Sequence, residues 1–146
     1  MSTRTALFPL ADSAADQPLG AESAARPRPA RLRKLRRDVA VLRTFVAVYC
    51  AGRHGGTEKT PARLPRLPVS IGAAEPPALC AECGKLLAHA LVKRVQCRYD
   101  PKPACKKCPT HCYGPKYRAQ IRAVMKYSGR RLVLTGRLDY LWHLLF

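Results

Sequence analysis

Between Arg31 and Cys50 apolar side chains return every three or four positions, at Leu32, Leu35, Val39, Leu42, Val46 and Tyr49. One face of an α-helix recurs with a period of about 3.6 residues, so this spacing predicts an amphipathic helix over 30–50. Its first turns are strongly basic, which opposes the helix dipole. The same periodicity over Leu79, Leu86, Leu87, Ala90, Leu91 and Val95 predicts a second helix at 78–96. A third starts at Pro115, a residue suited to a first turn. It carries Tyr117, Ile121, Val124 and Met125 on one face and meets a stop at Gly129. The remaining RRLVLTGRLDYLWHLLF predicts a short extended piece and then a short helix containing Trp142. Its apolar end, LWHLLF, is expected to pack on the core or to form an interface.

Between these helices the pattern fails. Residues 51–78 hold Gly, Pro and isolated apolar residues and read as a loop insertion. In 97–115, Pro101, Pro103, Pro109 and Pro115 disfavour regular structure. Residues 1–29, rich in Ala and Pro and turning basic at their end, lack an apolar pattern that could offset ordering entropy. The expected fold class is mostly α. It comprises a disordered tail over 1–29 and one small cysteine-rich helical domain over 30–146, with metal-knuckle loops.

Charge changes the picture first. The chain of 146 residues has 27 Lys and Arg against 9 Asp and Glu, a formal +18. That balance favours contact with a polyanion such as nucleic acid, although a solvated basic surface has the same composition. Arg31, Arg33, Lys34, Arg36 and Arg37 on the first helix, with Arg118 and Arg122 on the third, are the candidate phosphate contacts. No apolar run approaches the roughly 20 residues that a membrane helix needs. The start of the chain shows no apolar stretch of signal-peptide length. The expected compartment is therefore the reducing cytoplasm, where thiols stay free or bind metal and disulfides are rare.

Cysteine changes it more. Seven cysteines lie at 50, 80, 83, 97, 105, 108 and 112, and two C-x2-C pairs stand out among them. Such a pair lets two thiolates reach one ion from a single tight turn. Cys50 and His54, at i and i+4, can share a helix face and complete a tetrahedron with Cys80 and Cys83. Cys97, Cys105, Cys108 and Cys112 can complete a second set, with His111 as a possible substitute. This partition suits two structural zinc sites. Iron–sulfur ligation is the alternative, because Cys105-x2-Cys108-x3-Cys112 partly follows ferredoxin spacing. The full four-cysteine run is missing, however, and a remote ligand such as Cys97 or Cys80 would be needed. His89 and His143 read as packed or surface histidines. No Ser–His–Asp order and no phosphate-binding Gly loop is present, and the carboxylates are scattered, so nothing positive points to an enzyme.

Three stretches carry a family resemblance: VYC-x3-H at 48–54, LC-x2-C-x2-L at 79–86 and CKKCPTHCYGPKYRAQIRAVMKYSGRR at 105–131. From about residue 34 to the end the chain resembles the nitrous oxide-stimulated promoter family of small bacterial proteins. The most specific part spans His111, Cys112, Tyr113, Pro115, Arg118, Ile121, Arg122, Met125, Gly129 and Arg131. Two features depart from the family pattern: Gly55 follows His54 where a second histidine is usual, and the 55–78 loop is long. The resemblance implies a role in the response to nitric oxide and nitrosative stress, without specifying a biochemical activity. Thiolates are targets for nitrosation and oxidation, so a metal-thiolate stress protein is the leading expectation. A nucleic-acid-binding zinc protein and an iron–sulfur redox or electron-transfer protein are the alternatives.

Overall fold

The computed structural model describes residues 28–67, 71 and 75–137. Most of the expected N-terminal tail and the expected helix around Trp142, with its apolar LWHLLF end, lie outside the described residues. The protein is mostly helical. In chain order come α1 (Pro29–Arg53), β1 (Thr60–Pro61), β2 (Ala78–Leu79), α2 (Ala81–Val95), a turn of 3-10 helix (Cys105–Lys107) and α3 (Pro115–Leu134).

Helix α1 is the spine, packing against both α2 and α3. It starts with Pro at the first turn, where the missing N–H is not needed. Val39, Val41, Leu42, Phe45, Val46 and Cys50 are its buried side chains. They meet Cys83, Leu86, Leu87, Ala90 and Leu91 of α2, and Val124 and Leu132 of α3, in one core. The basic start of α1 is held by the neighbouring loop. Arg31 Nη2 donates to the Cys97 carbonyl at 3.4 Å, and Lys34 Nζ to the Lys102 carbonyl at 3.1 Å. One turn further on, Arg94 Nε of α2 donates to Asp38 Oδ2 at 2.5 Å, and Arg94 is only 8% exposed.

The structure corrects two boundaries. Helix α2 starts at Ala81 instead of 78, because Ala78–Leu79 is drawn off into a two-residue antiparallel ladder with Thr60–Pro61. That ladder, extended by Ala62 N–H donating to the Pro77 carbonyl at 3.0 Å, closes the base of the long loop. Helix α3 does not stop at Gly129 but runs on to Leu134, so Arg130–Leu134 is helical and not extended. Gly129 and Ser128 are both buried, and Ser128 Oγ donates to the Phe45 carbonyl of α1 at 2.6 Å. Packing against α1 thus outweighs the roughly 1 kcal/mol that glycine costs within a helix. The real stop is Gly136, at φ 85. There the Arg137 N–H reaches the Leu132 carbonyl at 2.9 Å and the Gly136 N–H reaches the Val133 carbonyl at 3.1 Å. These two bonds form a Schellman cap, which needs a left-handed residue at that point.

His89, expected to be a packed or surface histidine, is packed and pins α2 to the start of α3. Its ring stacks on Tyr117 at 3.9 Å and meets the edge of Tyr113 at 5.3 Å. Burial, and then the nearby Lys93 charge, lower its pKa below 6.5. The folded protein therefore keeps His89 neutral while the unfolded chain takes up its proton, so stability falls as pH drops through about 6.5. His89→Phe keeps the stack and removes the titration. We expect a smaller loss of urea midpoint between about pH 7.5 and about pH 5.5 in that variant than in the native protein. Equal losses would show that His89 is not the group involved.

Candidate metal centre

The ends of two helices build the site. Cys50 is in the last turn of α1 and fully buried, and His54 caps that helix, its N–H donating to the Cys50 carbonyl at 3.0 Å. Thr57 returns both its N–H, at 3.2 Å, and its Oγ1, at 2.8 Å, to the His54 carbonyl. This fastens the turn after the helix. On the other side, Cys80 is the N-cap of α2 and Cys83 lies in its first turn. The β1–β2 ladder delivers Cys80 to α1, where the Cys80 N–H points at Cys50 Sγ at 3.3 Å.

The four donor atoms converge. His54 Nδ1 is 3.3 Å from Cys80 Sγ and also 3.3 Å from Cys83 Sγ. All four donors lie within 4.8 Å of one another. Zinc–sulfur and zinc–nitrogen bonds of about 2.3 and about 2.0 Å make the S···N edge of a tetrahedron about 3.5 Å. The set is thus close to the size of one ion's coordination shell, and Cys50, His54, Cys80 and Cys83 can hold a metal ion. Cys80, Cys83 and Cys50 are 7%, 2% and 0% exposed, so the site is closed, as structural sites are.

The electrostatics prepare a thiolate. Burial works against ionisation of Cys80, but hydrogen bonds from the Cys83 amide and thiol, from His54 and from Cys50 outweigh it and bring its pKa to about 6. The helix N-terminus adds positive potential at the same place. Cys83 moves the opposite way, pushed up by burial and then by Cys80 and Cys50. Without an ion, two adjacent buried thiolates repel; a cation removes that penalty and admits both.

The second expected set is arranged more loosely. Cys97 follows α2, Cys105 opens the 3-10 turn, and Cys108 ends it with its N–H on the Cys105 carbonyl at 3.4 Å. Burial, followed by the charges of Cys105, Cys108 and Cys97, raises the Cys112 pKa, so the four thiols share one neighbourhood. Cys105 and Cys112 are exposed, and Cys97 and Cys108 are half-buried. A hydrogen bond between Tyr99 Oη and Thr110 Oγ1 ties the two arms of this loop. His111 adopts φ 43, and its Nε2 lies 3.5 Å from Arg118 Nη2, a contact that engages one of its two ring nitrogens. Among the described residues, the Cys50–His54–Cys80–Cys83 group is the set whose donors close to single-ion distances.

The expected phosphate contacts divide. Arg33, Arg36, Arg37 and Arg122 are exposed, whereas Arg31, Lys34 and Arg118 reach the 97–112 loop. Sequence reasoning missed Tyr49, whose ring meets the His54 imidazole edge-on at 5.5 Å. The signal was available, because Tyr49 immediately precedes the first ligand on the same helix.

A mostly helical fold that brings three cysteines and a histidine from two helix termini around one point defines a small cysteine-cluster protein with a site fit for a metal ion. The sequence profile of the family described as nitrous oxide-stimulated promoter matches residues 33–146, and the chain belongs to that family. It is also similar to the uncharacterized protein YgbA of Escherichia coli (strain K12), with 37% identity over 49 residues. That match covers 33% of this chain and 42% of the E. coli protein. No solved structure matches the chain. Among the described residues, no helix is long and apolar enough to cross a membrane.

Proposed function

We propose that the protein is a non-enzymatic metal-thiolate protein of the nitrosative-stress response. Cys50, His54, Cys80 and Cys83 hold one structural zinc ion. The more exposed Cys97, Cys105, Cys108 and Cys112 form a second, labile thiolate set. The observation that carries this reading is the His54 nitrogen at 3.3 Å from two thiols. A four-iron cluster places its thiolates on separate irons, farther apart than the edges of one tetrahedron, so the compact donor set favours a single ion. The family description supports the link to nitrogen oxides.

The chemistry follows from the thiolates. Dinitrogen trioxide transfers a nitrosonium unit to a thiolate, giving an S-nitrosothiol and nitrite. The sulfur loses its negative charge and its hold on the metal, and the helix ends it joined are released. Contact with nucleic acid is a separate reading. The exposed Arg33, Arg36 and Arg37 support it, at the start of a helix with no acid in its first turn.

The test is metal analysis of the native protein, followed by a nitric oxide donor in air with a chromogenic chelator present. We expect about one tightly held zinc per chain. Nitrosation should release it together with part of the helical circular-dichroism signal. A preparation free of zinc that stays fully folded, or brown protein containing iron and sulfide, would overturn the reading.

A further inference from the structure

A second feature lies beside the metal centre and includes none of its four ligands. The end of α1 and the latter half of α3 line an open groove of about 440 Å³. Tyr49 and Tyr127 form an aromatic wall, meeting edge-to-face at 5.6 Å. Arg53, Lys126, Arg130 and Arg131 place four cations around it. Among the described residues, none of these four has an ion pair or side-chain hydrogen bond. None of the described acids lines the groove; Asp38 binds Arg94 and Glu82 accepts from Gln120 at 2.7 Å.

The groove is also shaped by its backbone. Tyr127 lies over Gly52, and a Cβ at that position would overlap its phenol. Glycine is thus what allows the ring to reach α1 and form the wall. Four concentrated cations repel one another, and an anion bound among them relieves that repulsion. Arginine forks favour phosphate oxygens in paired hydrogen bonds. Tyrosine rings offer a face or edge for a planar base, worth about 1–3 kcal/mol for each stacked base. The volume falls within the roughly 300–1,000 Å³ of small-ligand sites.

We propose that this groove binds a nucleoside triphosphate, with its phosphates on Arg53, Lys126, Arg130 and Arg131 and its base against the Tyr49–Tyr127 wall. The ligand also lies one ring away from the metal centre, because Tyr49 carries the contact from the groove to His54. The proposal stands on α1 and α3 and does not depend on which metal is bound.

The test is calorimetric titration of the full, metal-loaded chain with ATP at about 0.15 M salt, alongside inorganic tripolyphosphate. Circular dichroism of each variant establishes that it is folded. We expect ATP to bind at least about tenfold more tightly than tripolyphosphate, as one base contact provides. Arg130→Ala with Arg131→Ala should weaken both ligands by more than about tenfold. Gly52→Ala should weaken ATP and leave tripolyphosphate unchanged, because it displaces only the aromatic wall. Arg33→Ala with Arg36→Ala should change neither. Three results would overturn the proposal: equal affinity for the two ligands, an equal loss in the Arg33/Arg36 variant, or no ATP binding. The last is what a groove already filled by another part of the chain or by a second copy would give.

Discussion

Replacing Cys83 with alanine is expected to abolish stoichiometric metal binding and to cost the domain most of its stability. As a small buried side chain alone, Cys83 would lose about 1 kcal/mol on truncation. As a ligand it loses far more. Structural zinc supplies apparent binding free energies of about 10–16 kcal/mol in small domains, against about 5–15 kcal/mol of net stability for a typical fold. The junction that the ion would secure is otherwise thin. A two-residue ladder and a buried cluster join the α1 end to the α2 start. Thermal unfolding with metal analysis of Cys83→Ala and Cys97→Ala distinguishes the two cases. The Cys83 variant should lose its tight metal and cooperative transition, and the Cys97 variant should keep both. A Cys83 variant that melts within a few degrees of the native protein, as about 1 kcal/mol implies, would make Cys83 a core residue and not a ligand.

Replacing Asp38 with alanine is expected to cost about 3 kcal/mol, the lower end of the range for breaking a buried ion pair. Arg94 is 8% exposed and Asp38 21%, and the guanidinium Nε is bonded to the carboxylate at 2.5 Å. Loss of Asp38 leaves a buried cation between α1 and α2 in a chain already at +18, where further positive charge repels. The partial exposure of Asp38 keeps the cost near the bottom of that range. Changing both residues together, Asp38→Leu with Arg94→Met, should recover most of the loss, because an apolar pair of similar volume removes the charge and the unmet hydrogen bonds. Urea denaturation of the three variants reads the effect. A single Asp38→Ala loss below about 1 kcal/mol would mean that water reaches Arg94 and the pair behaves as a surface one.

Placed beside each other, these two sites show how α1 and α2 are joined. At one end the Asp38–Arg94 pair links the helices, at the other the cysteine–histidine cluster does, and the apolar residues between them form the core. Nitrosation of the cluster would release one end only. The protein would then respond by loosening the α1–α2 junction while the Asp38 end still holds.

Much of this was legible in the chain because it is local. Helical periodicity depends on neighbours three and four apart, so all three helices were readable from Leu32 to Met125. Cys50 with His54, and Cys80 with Cys83, each fit within one helix turn, so their grouping followed from spacing alone. The helix ends were decided by tertiary contact. Gly129 looked like a stop, yet Ser128 and Gly129 pack so closely on α1 that the helix continues to a different glycine. The ladder at Thr60–Leu79 was invisible because two residues have no period, and only pairing across the loop creates it. The 97–112 cysteines have no regular backbone between them. Their arrangement rests on tethers such as Arg31, Lys34 and Tyr99 that no spacing rule contains. The basic positions on α1 were read correctly as basic, but packing determined that Arg31 and Lys34 hold a loop while Arg33 and Arg37 face outward. The groove joins Tyr49 and Arg53 to Lys126, Tyr127 and Arg130, more than seventy positions along the chain. Local chemistry determined the helices and the first ligand set; which distant surfaces meet is set by burial of the shared core, and only the folded chain shows it.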